Sequence, residues 1–158
     1  MPLVIATPIV PLVITERRDA IASVNFVRRR VKPSDRQSAS PLLREAARQL
    51  DAYFAGKLRA FDLPLAAEGS AFDARVWNAI ASIAYGETRS YGDLAWHLES
   101  APRAIGGACG RNPIAVVVPC HRVLAANGAL GGYSSANGLA TKRFLLGLEG
   151  SWPVRSAA

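Results

Sequence analysis

The stretch Ser90–Pro113 reads SYGDLAWHLESAPRAIGGACGRNP, and its serines, prolines and glycines divide it into two helices. Ser90 stands where a helix needs an N-cap side chain, so the spacing predicts a short helix through Leu98. Ser100 stands in the same relation to a second helix that begins near Pro102 and ends at Gly110; proline's fixed φ suits a first turn. Two short helices joined by a tight turn are the helix-turn-helix pattern. The second helix is thin: Ala104, Gly106, Gly107 and Ala108 give it little bulk. Each glycine costs about 1 kcal/mol against alanine inside a helix. Such a helix either packs closely on a neighbour or lets its backbone approach something narrow, such as a DNA minor groove. In the second case Arg103, near its start, is the long probe, and Arg111 is the basic residue at its far end.

Immediately downstream is IAVVVPCHRV, Ile114–Val123. IAVVV reads as a buried strand, and a thiol and an imidazole follow it side by side. Cysteine attacks as the thiolate, and at its free pKa only a few per cent is ionised near neutrality. An imidazole can take that proton directly or through one water. Neighbours on a strand point to opposite faces, so a direct Cys120–His121 bond requires a bend, which Pro119 can supply. A carboxylate behind the imidazole would fix its tautomer, and Glu149 in LEG is the candidate. Cys109 reads as a small packing residue.

The final helix is expected from about Leu139 to Leu148, with Lys142 and Arg143 facing out and Gly150 as its stop. A long glycine-rich loop, Ala125–Gly138, precedes it. Upstream of the helix pair, Ser70 with Asp73 marks another helix start. Phe72, Val76, Trp77, Ile80 and Ile83 form its apolar face, with Trp77 in the core. Ser40-Pro41 opens an earlier helix whose stripe runs Leu42, Leu43, Ala46, Ala47, Leu50, Tyr53 and Phe54, stopped by Gly56. Residues 1 to about 31 read as short strands, and Lys32–Pro41 as a loop. Phe61–Gly69 reads as a linker. The expected organisation is an N-terminal α/β domain over 1–68 and a C-terminal DNA-binding and catalytic domain over 69–158.

The chain has 158 residues, half of them apolar, enough for one large domain or two small ones. Its net charge of +7 fits a polyanion partner, and equally a basic soluble surface. Arg28-Arg29-Arg30 admits the same two readings. With two cysteines and two histidines, a structural zinc site is poorly supplied. The apolar start lacks a basic flank and holds three prolines, so it reads as strand rather than signal peptide. No apolar run approaches membrane-spanning length. The expectation is a reduced, cytoplasmic protein, nucleoid-associated when on DNA.

Taken in order, SAFDARVWNAIASIAYGETRSYGDLA, PRAIGGACGRNP, VPCHRV and GLATKRFLLGLEG closely resemble the O6-alkylguanine-DNA alkyltransferases over residues 70 to 150. The first 69 residues match only in general character. The resemblance implies an α+β fold: a small ribonuclease H-like domain with one helix, then a mostly helical domain with a helix-turn-helix of winged-helix type. It implies minor-groove binding, flipping of the lesion into a pocket, and transfer of the alkyl group to Cys120. His121 would deprotonate Cys120 through water, Glu149 would orient His121, and Asn112 would brace the turn. Arg103 would enter the stack, and Tyr91 would help rotate the nucleotide and donate a proton. The Val123 carbonyl would read the exocyclic amine, and Ser134 and Ser135 would fall in the loop that reaches O6. Ala104, Gly106, Gly107 and Arg111 would lie along the DNA.

The thioether product does not turn over, so the protein would be consumed, with no cofactor and no metal. The implied partner is double-stranded DNA containing O6-alkylguanine or O4-alkylthymine, bound by a monomer, alone or cooperatively. YSSANGLA is longer than the YSGGLA of some members, and Ala84 stands where others have proline. The competing readings are a non-catalytic lesion-binding protein of the same fold, a helix-turn-helix regulator, and a Cys-His acyl hydrolase.

Overall fold

The computed structural model describes residues 1–133 and 138–152. The chain divides into two compact units, Met1–Glu68 with Pro113–Val117, and Gly69–Asn112 with Val118 onward.

In the first unit, β1 (Leu3–Ile5), β2 (Leu12–Arg17) and β3 (Ala20–Phe26) form an antiparallel sheet in sequential order. Its buried face is Leu3, Ile5, Leu12, Ile14, Ile21 and Val24, alternating in β1 and β2 and shifted in phase within β3 by a register irregularity at Thr15/Glu16. Helix α1 (Pro41–Phe54) covers it with Leu43, Ala46, Ala47, Leu50 and Tyr53, a 3.6-residue stripe. Ser40 caps α1 through Leu43 N–H, as its sequence position predicts.

Two segments behave differently from their sequence readings. The supposed linker belongs to the sheet: Ile21 N–H donates to Pro64 O and Ala66 N–H to Ile21 O, a parallel bridge at Leu65. Gln49 fixes the same segment from the other side, exchanging two hydrogen bonds with the Asp62 backbone. IAVVV is not a strand. Ile114 makes one bridge to Val24, and the chain then turns, with Val117 N–H donating to Ala115 O around Val116 at φ 71°. That i→i+2 closure is a γ-turn, rare for a β-branched residue. The apolar run is buried because it covers the open edge of β3, where single bridges suffice.

The second unit is built on helices. Ser70 and Asp73 form a full capping box at α2 (Ala71–Ala81), and Ser90 and Asp93 form another at α3 (Tyr91–His97). Helix α4 (Pro102–Gly110) follows after a turn. Its N-cap is Ala101, without a side-chain cap bond, so Ser100 does not serve as expected. The Ser100 N–H instead closes the end of α3 onto Ala95 O. Trp77 of α2 is in the core and donates its indole N–H to Ala108 O at 2.9 Å. The strand before α3, β4 (Arg89–Ser90), pairs in parallel with β5 (Val123–Leu124). This short ladder ties the start of the helix pair to the residues just after PCHR.

Helix α5 (Gly138–Leu148) buries Thr141, Lys142, Leu145 and Leu146. Lys142 therefore does not face out as expected, although Arg143 does. Leu139 and Phe144 are exposed on the same helix, so apolar residues surround it and its sequence does not define a phase. No helix among the described residues is long and apolar enough to cross a membrane.

Candidate active site

Pro119 bends the chain into the site. Its φ of −84° and ψ of 64° are those of an inverse γ-turn, closed by Cys120 N–H donating to Val118 O at 2.8 Å. Cys120–Arg122 then form one 3₁₀ turn. The anticipated bend is thus present, and Cys120 and His121 do not alternate as on a strand.

Asn112 holds this turn. Its Nδ2 donates to Val118 O at 2.9 Å and to Cys120 Sγ at 3.2 Å. Cys120 is 5 % exposed and lines a cavity of about 460 Å³. Tyr91, Pro102, Arg103, Gly106, Cys109, Gly132 and Tyr133 share that lining. Its volume lies within the range of small-molecule pockets.

His121 is wholly buried, and its Nε2 lies 2.8 Å from Glu149 Oε2. The same carboxylate receives Arg122 Nε at 2.8 Å and Arg122 Nη2 at 3.0 Å. Arg122 Nη1 donates to Ile83 O at 2.7 Å. Burial pushes the His121 pKa down, against the pull of Glu149 and with help from Arg122 and Lys142. The ring is therefore neutral at neutral pH. A carboxylate can only accept, so Nε2 carries the ring proton, and Nδ1 is a buried lone pair without a hydrogen-bond partner among the described residues.

Sequence reasoning missed Arg122 altogether. It sets a positive charge against the buried Glu149 carboxylate and donates two hydrogen bonds to it.

Lys142 is the second missed residue. Fully buried, it donates from Nζ to Val123 O at 2.6 Å and to Gly132 O at 3.1 Å. It also lies 5.7 Å from the centre of the Tyr91 ring. Desolvation lowers its pKa to about 8, with the Cys109 and Cys120 sulfurs opposing. The Val123 carbonyl is thus already anchored from one side, and its second lone pair is the one left for another donor. No local signal marks Lys142, because apolar residues lie all round α5 and leave its buried face undefined.

Tyr91 stands at the start of α3 and lines the cavity. Burial, and then the two cysteine sulfurs, push its pKa up to about 12, so its hydroxyl stays protonated. The hydroxyl reaches Gly132 O only at 3.5 Å, the outer limit of a hydrogen bond. Gly131 makes room for the ring: at φ 69° and with a Cβ position 3.0 Å from Tyr91 Cε2, it admits no side chain. Tyr133, a further lining residue, is likewise held protonated by burial. Ser134 and Ser135 lie outside the described residues.

The thin face of α4 is not explained by close packing. A Cβ on Gly106 would meet nothing nearer than Tyr91 Cε1 at 3.9 Å, and one on Gly107 would meet the end of the Arg111 side chain. The helix buries Ile105 and Ala108 while Arg103 and Gly107 are exposed and Ala104 is half-buried. Arg103 has no ion pair among the described residues. Arg111 does: its guanidinium forks onto Asp73, at 2.7 Å from Nη2 to Oδ1, which holds the Asp73 carboxyl below its usual range. Cys109, read as a packing residue, also lines the cavity that Cys120 lines. Among the described residues no three His, Cys, Asp or Glu side chains cluster as metal ligands would.

The family model of the 6-O-methylguanine DNA methyltransferase DNA binding domain matches residues 71–151, and that of its ribonuclease-like domain matches residues 3–67. A methylated-DNA–protein-cysteine methyltransferase of Methanosarcina acetivorans is 49% identical over 150 residues, covering 92% of this chain and 95% of the relative. One from Mycobacterium tuberculosis is 43% identical over 152 residues, 93% and 90% of the two chains. The crystal structure of the Mycobacterium tuberculosis O6-methylguanine methyltransferase superposes with a TM-score of 0.82 at 41% identity, covering 99% of this chain and 94% of that one. A structure of the OGT of that organism in complex with DNA gives 0.82 at 41% identity, with 94% and 91% covered. Matched in both halves, and along nearly the whole length of such relatives, this chain belongs to the 6-O-methylguanine DNA methyltransferase family.

Proposed function

We propose that this protein repairs DNA by taking the alkyl group of O6-alkylguanine onto Cys120, once per molecule. The observation that carries the reading is the bare Nδ1 of a neutral His121 whose Nε2 proton is pinned by Glu149. That nitrogen is a base of the right protonation state one residue from a thiol that faces a base-sized cavity.

The steps follow from the side chains. The thiol proton passes to His121 through one water, and the Asn112 amide steadies the sulfur as charge develops on it. The thiolate attacks the alkyl carbon; the carbon–oxygen bond at O6 breaks as the carbon–sulfur bond forms. The departing guanine takes a proton, for which the Tyr91 hydroxyl is the donor held protonated in the cavity. Cys120 is left as a thioether. A thioether does not give up its alkyl group without a further activation, so the reaction is stoichiometric.

Duplex DNA is the partner, bound as lesion-bearing strand by a monomer. The open face formed by Ala104, Gly106 and Gly107 admits a minor groove, and Arg103, at the rim of the cavity, fills the stack when the base leaves it. Arg111 supports this face through Asp73. The second lone pair of Val123 O receives the exocyclic amine of the flipped base. O4-alkylthymine is an alternative lesion.

The test is a duplex carrying labelled O6-methylguanine. Label appears on the wild-type protein, at most one per molecule, and none appears on Cys120→Ala. Binding without transfer by the wild type would support the non-catalytic lesion-binding reading instead.

A further inference from the structure

Alkyl transfer gives Arg28-Arg29-Arg30 no task, but the first unit gives the run a setting. It follows β3, and the chain is tied to the sheet on both sides of it. Val27 N–H donates to Pro11 O, Ser34 N–H donates to Val4 O, and Val4 N–H donates to Ser34 Oγ, each at 2.9 Å. The segment between is a pinned arch. The β1–β2 turn is held as well: Thr7 Oγ1 donates to Val10 O at 2.6 Å and accepts from Ile9 N–H at 3.1 Å. Arch and turn line a groove of about 460 Å³, the turn through Ile9, Val10 and Pro11 and the arch through residues 28–32. Four cations, Arg28, Arg29, Arg30 and Lys32, thus belong to one groove, and all four are exposed. None of their side chains has an ion-pair or hydrogen-bond partner among the described residues. The carboxylates that come next along the chain are already engaged: Asp35 accepts from Gln37 N–H and Ser38 Oγ, and Asp51 pairs with Arg36.

We propose that this groove is a second contact for the phosphate backbone of DNA, made by residues other than the helix-turn-helix, in which Arg28, Arg29, Arg30 and Lys32 hold phosphate oxygens. This rests on the reading that duplex DNA is the partner.

Like charges so close along the chain repel one another, and the surrounding side chains bring no carboxylate to relieve them. An anion relieves them. Arginine suits phosphate in particular, since its planar fork meets two oxygens at once. The apolar part of the lining gives the long side-chain stems a surface to lie on while their heads stay in water. One isolated phosphate needs only one or two such groups. A row of four matches a ligand that repeats its charge, as a duplex does about every 3.4 Å along each strand. Contacts of this kind position a protein on DNA without reading its bases. That suits a protein whose lesions fall in any sequence.

The experiment measures how affinity for an undamaged duplex depends on salt. Fluorescence anisotropy gives log Kd against log salt for wild type and for a variant carrying Arg28→Gln, Arg29→Gln and Arg30→Gln together. A control variant carries Arg18→Gln, Arg44→Gln and Lys57→Gln, three exposed cations that do not line the groove. Thermal unfolding shows that both variants are folded. Each lost phosphate contact should flatten the slope by about 0.9, so the groove variant should be shallower than wild type by at least that much. The control should keep the wild-type slope. An unchanged slope in the groove variant overturns the proposal, and so does a control that flattens as much, since net charge alone would then explain the effect. Single-turnover transfer to Cys120 from saturating labelled duplex should be the same in the groove variant as in wild type. Absence of transfer in the wild type would sink the repair reading instead, and the slopes would still decide the groove.

Discussion

Glu149→Gln separates the two tasks of one carboxylate. In the wild type Glu149 accepts from His121 Nε2 and from two nitrogens of Arg122. Glutamine keeps the shape but has one accepting and one donating end. If its oxygen serves Arg122, its amide faces His121 Nε2, which must then become the acceptor; the ring proton moves to Nδ1 and the base is lost. If its oxygen serves His121, its amide is pressed against the Arg122 guanidinium. Either way the 6 % exposed Arg122 loses its counter-charge and keeps Ile83 O. Two unit charges about 4 Å apart interact by roughly 4 kcal/mol at an effective dielectric constant of 20. Breaking a buried pair from one side typically destabilises by about 3–5 kcal/mol. For a chain of this size that is a fall in Tm on the order of 10 °C, which still leaves folded protein to assay. Loss of general-base assistance should slow single-turnover alkyl transfer by about 10²–10⁴. The assay is a rapid-quench time course with excess protein over labelled duplex, well below the lowered Tm. Transfer within about threefold of wild type, with the destabilisation present, would refute the tautomer argument. An unchanged Tm would refute the buried-pair argument.

Other outcomes follow from single side chains. His121 is depressed below its ordinary pKa of about 6.5, so the unfolded chain takes up a proton that the folded chain resists. Stability should therefore fall as pH drops below about 6.5, and His121→Asn should lack that part of the slope in urea titrations at several pH values. Lys142 is depressed from 10.5 to about 8, a gap of 2.5 units. Its contribution to stability should rise by about 3 kcal/mol between pH 8 and pH 10.5; the difference between wild type and Lys142→Met should trace that rise, and parallel profiles would place the lysine elsewhere. Arg103→Ala should slow repair in duplex DNA far more than reaction with free alkylated base, and equal losses would remove it from base flipping. Duplex affinity should fall with rising salt as phosphate contacts release counterions; a flat dependence would count against the exposed basic face.

Much of the local structure was legible because its causes are local. A serine with an aspartate three residues on completes its own capping box, and so Ser70 and Ser90 marked α2 and α3 correctly. The stripe of α1 repeats every 3.6 residues whatever it packs on, and β1 and the first half of β2 alternate in the same self-contained way. The adjacent thiol and imidazole, with Asn112 before them and Glu149 after, were visible as chemistry and, as strings in order, as a family. Each of those four residues is at the site, within hydrogen-bonding reach of another member.

What the tertiary structure decided was which polar groups water does not reach. IAVVV has strand composition, yet covering the edge of β3 and turning at Val116 meets its backbone needs with one bridge. Lys142 reads as a surface residue because lysine usually is one, and nothing within α5 says that two carbonyls, from Val123 and Gly132, converge on its Nζ. Arg122 was invisible for the same reason, since its value lies in a carboxylate 27 positions away. Cys109 reads as packing in the sequence, and the fold places it on the lining of the cavity that Cys120 also lines. Capping and periodicity act over a few residues and leave their mark in sequence. Desolvation and hydrogen-bond partnership act across whatever the chain brings together, and they appear only when it has folded.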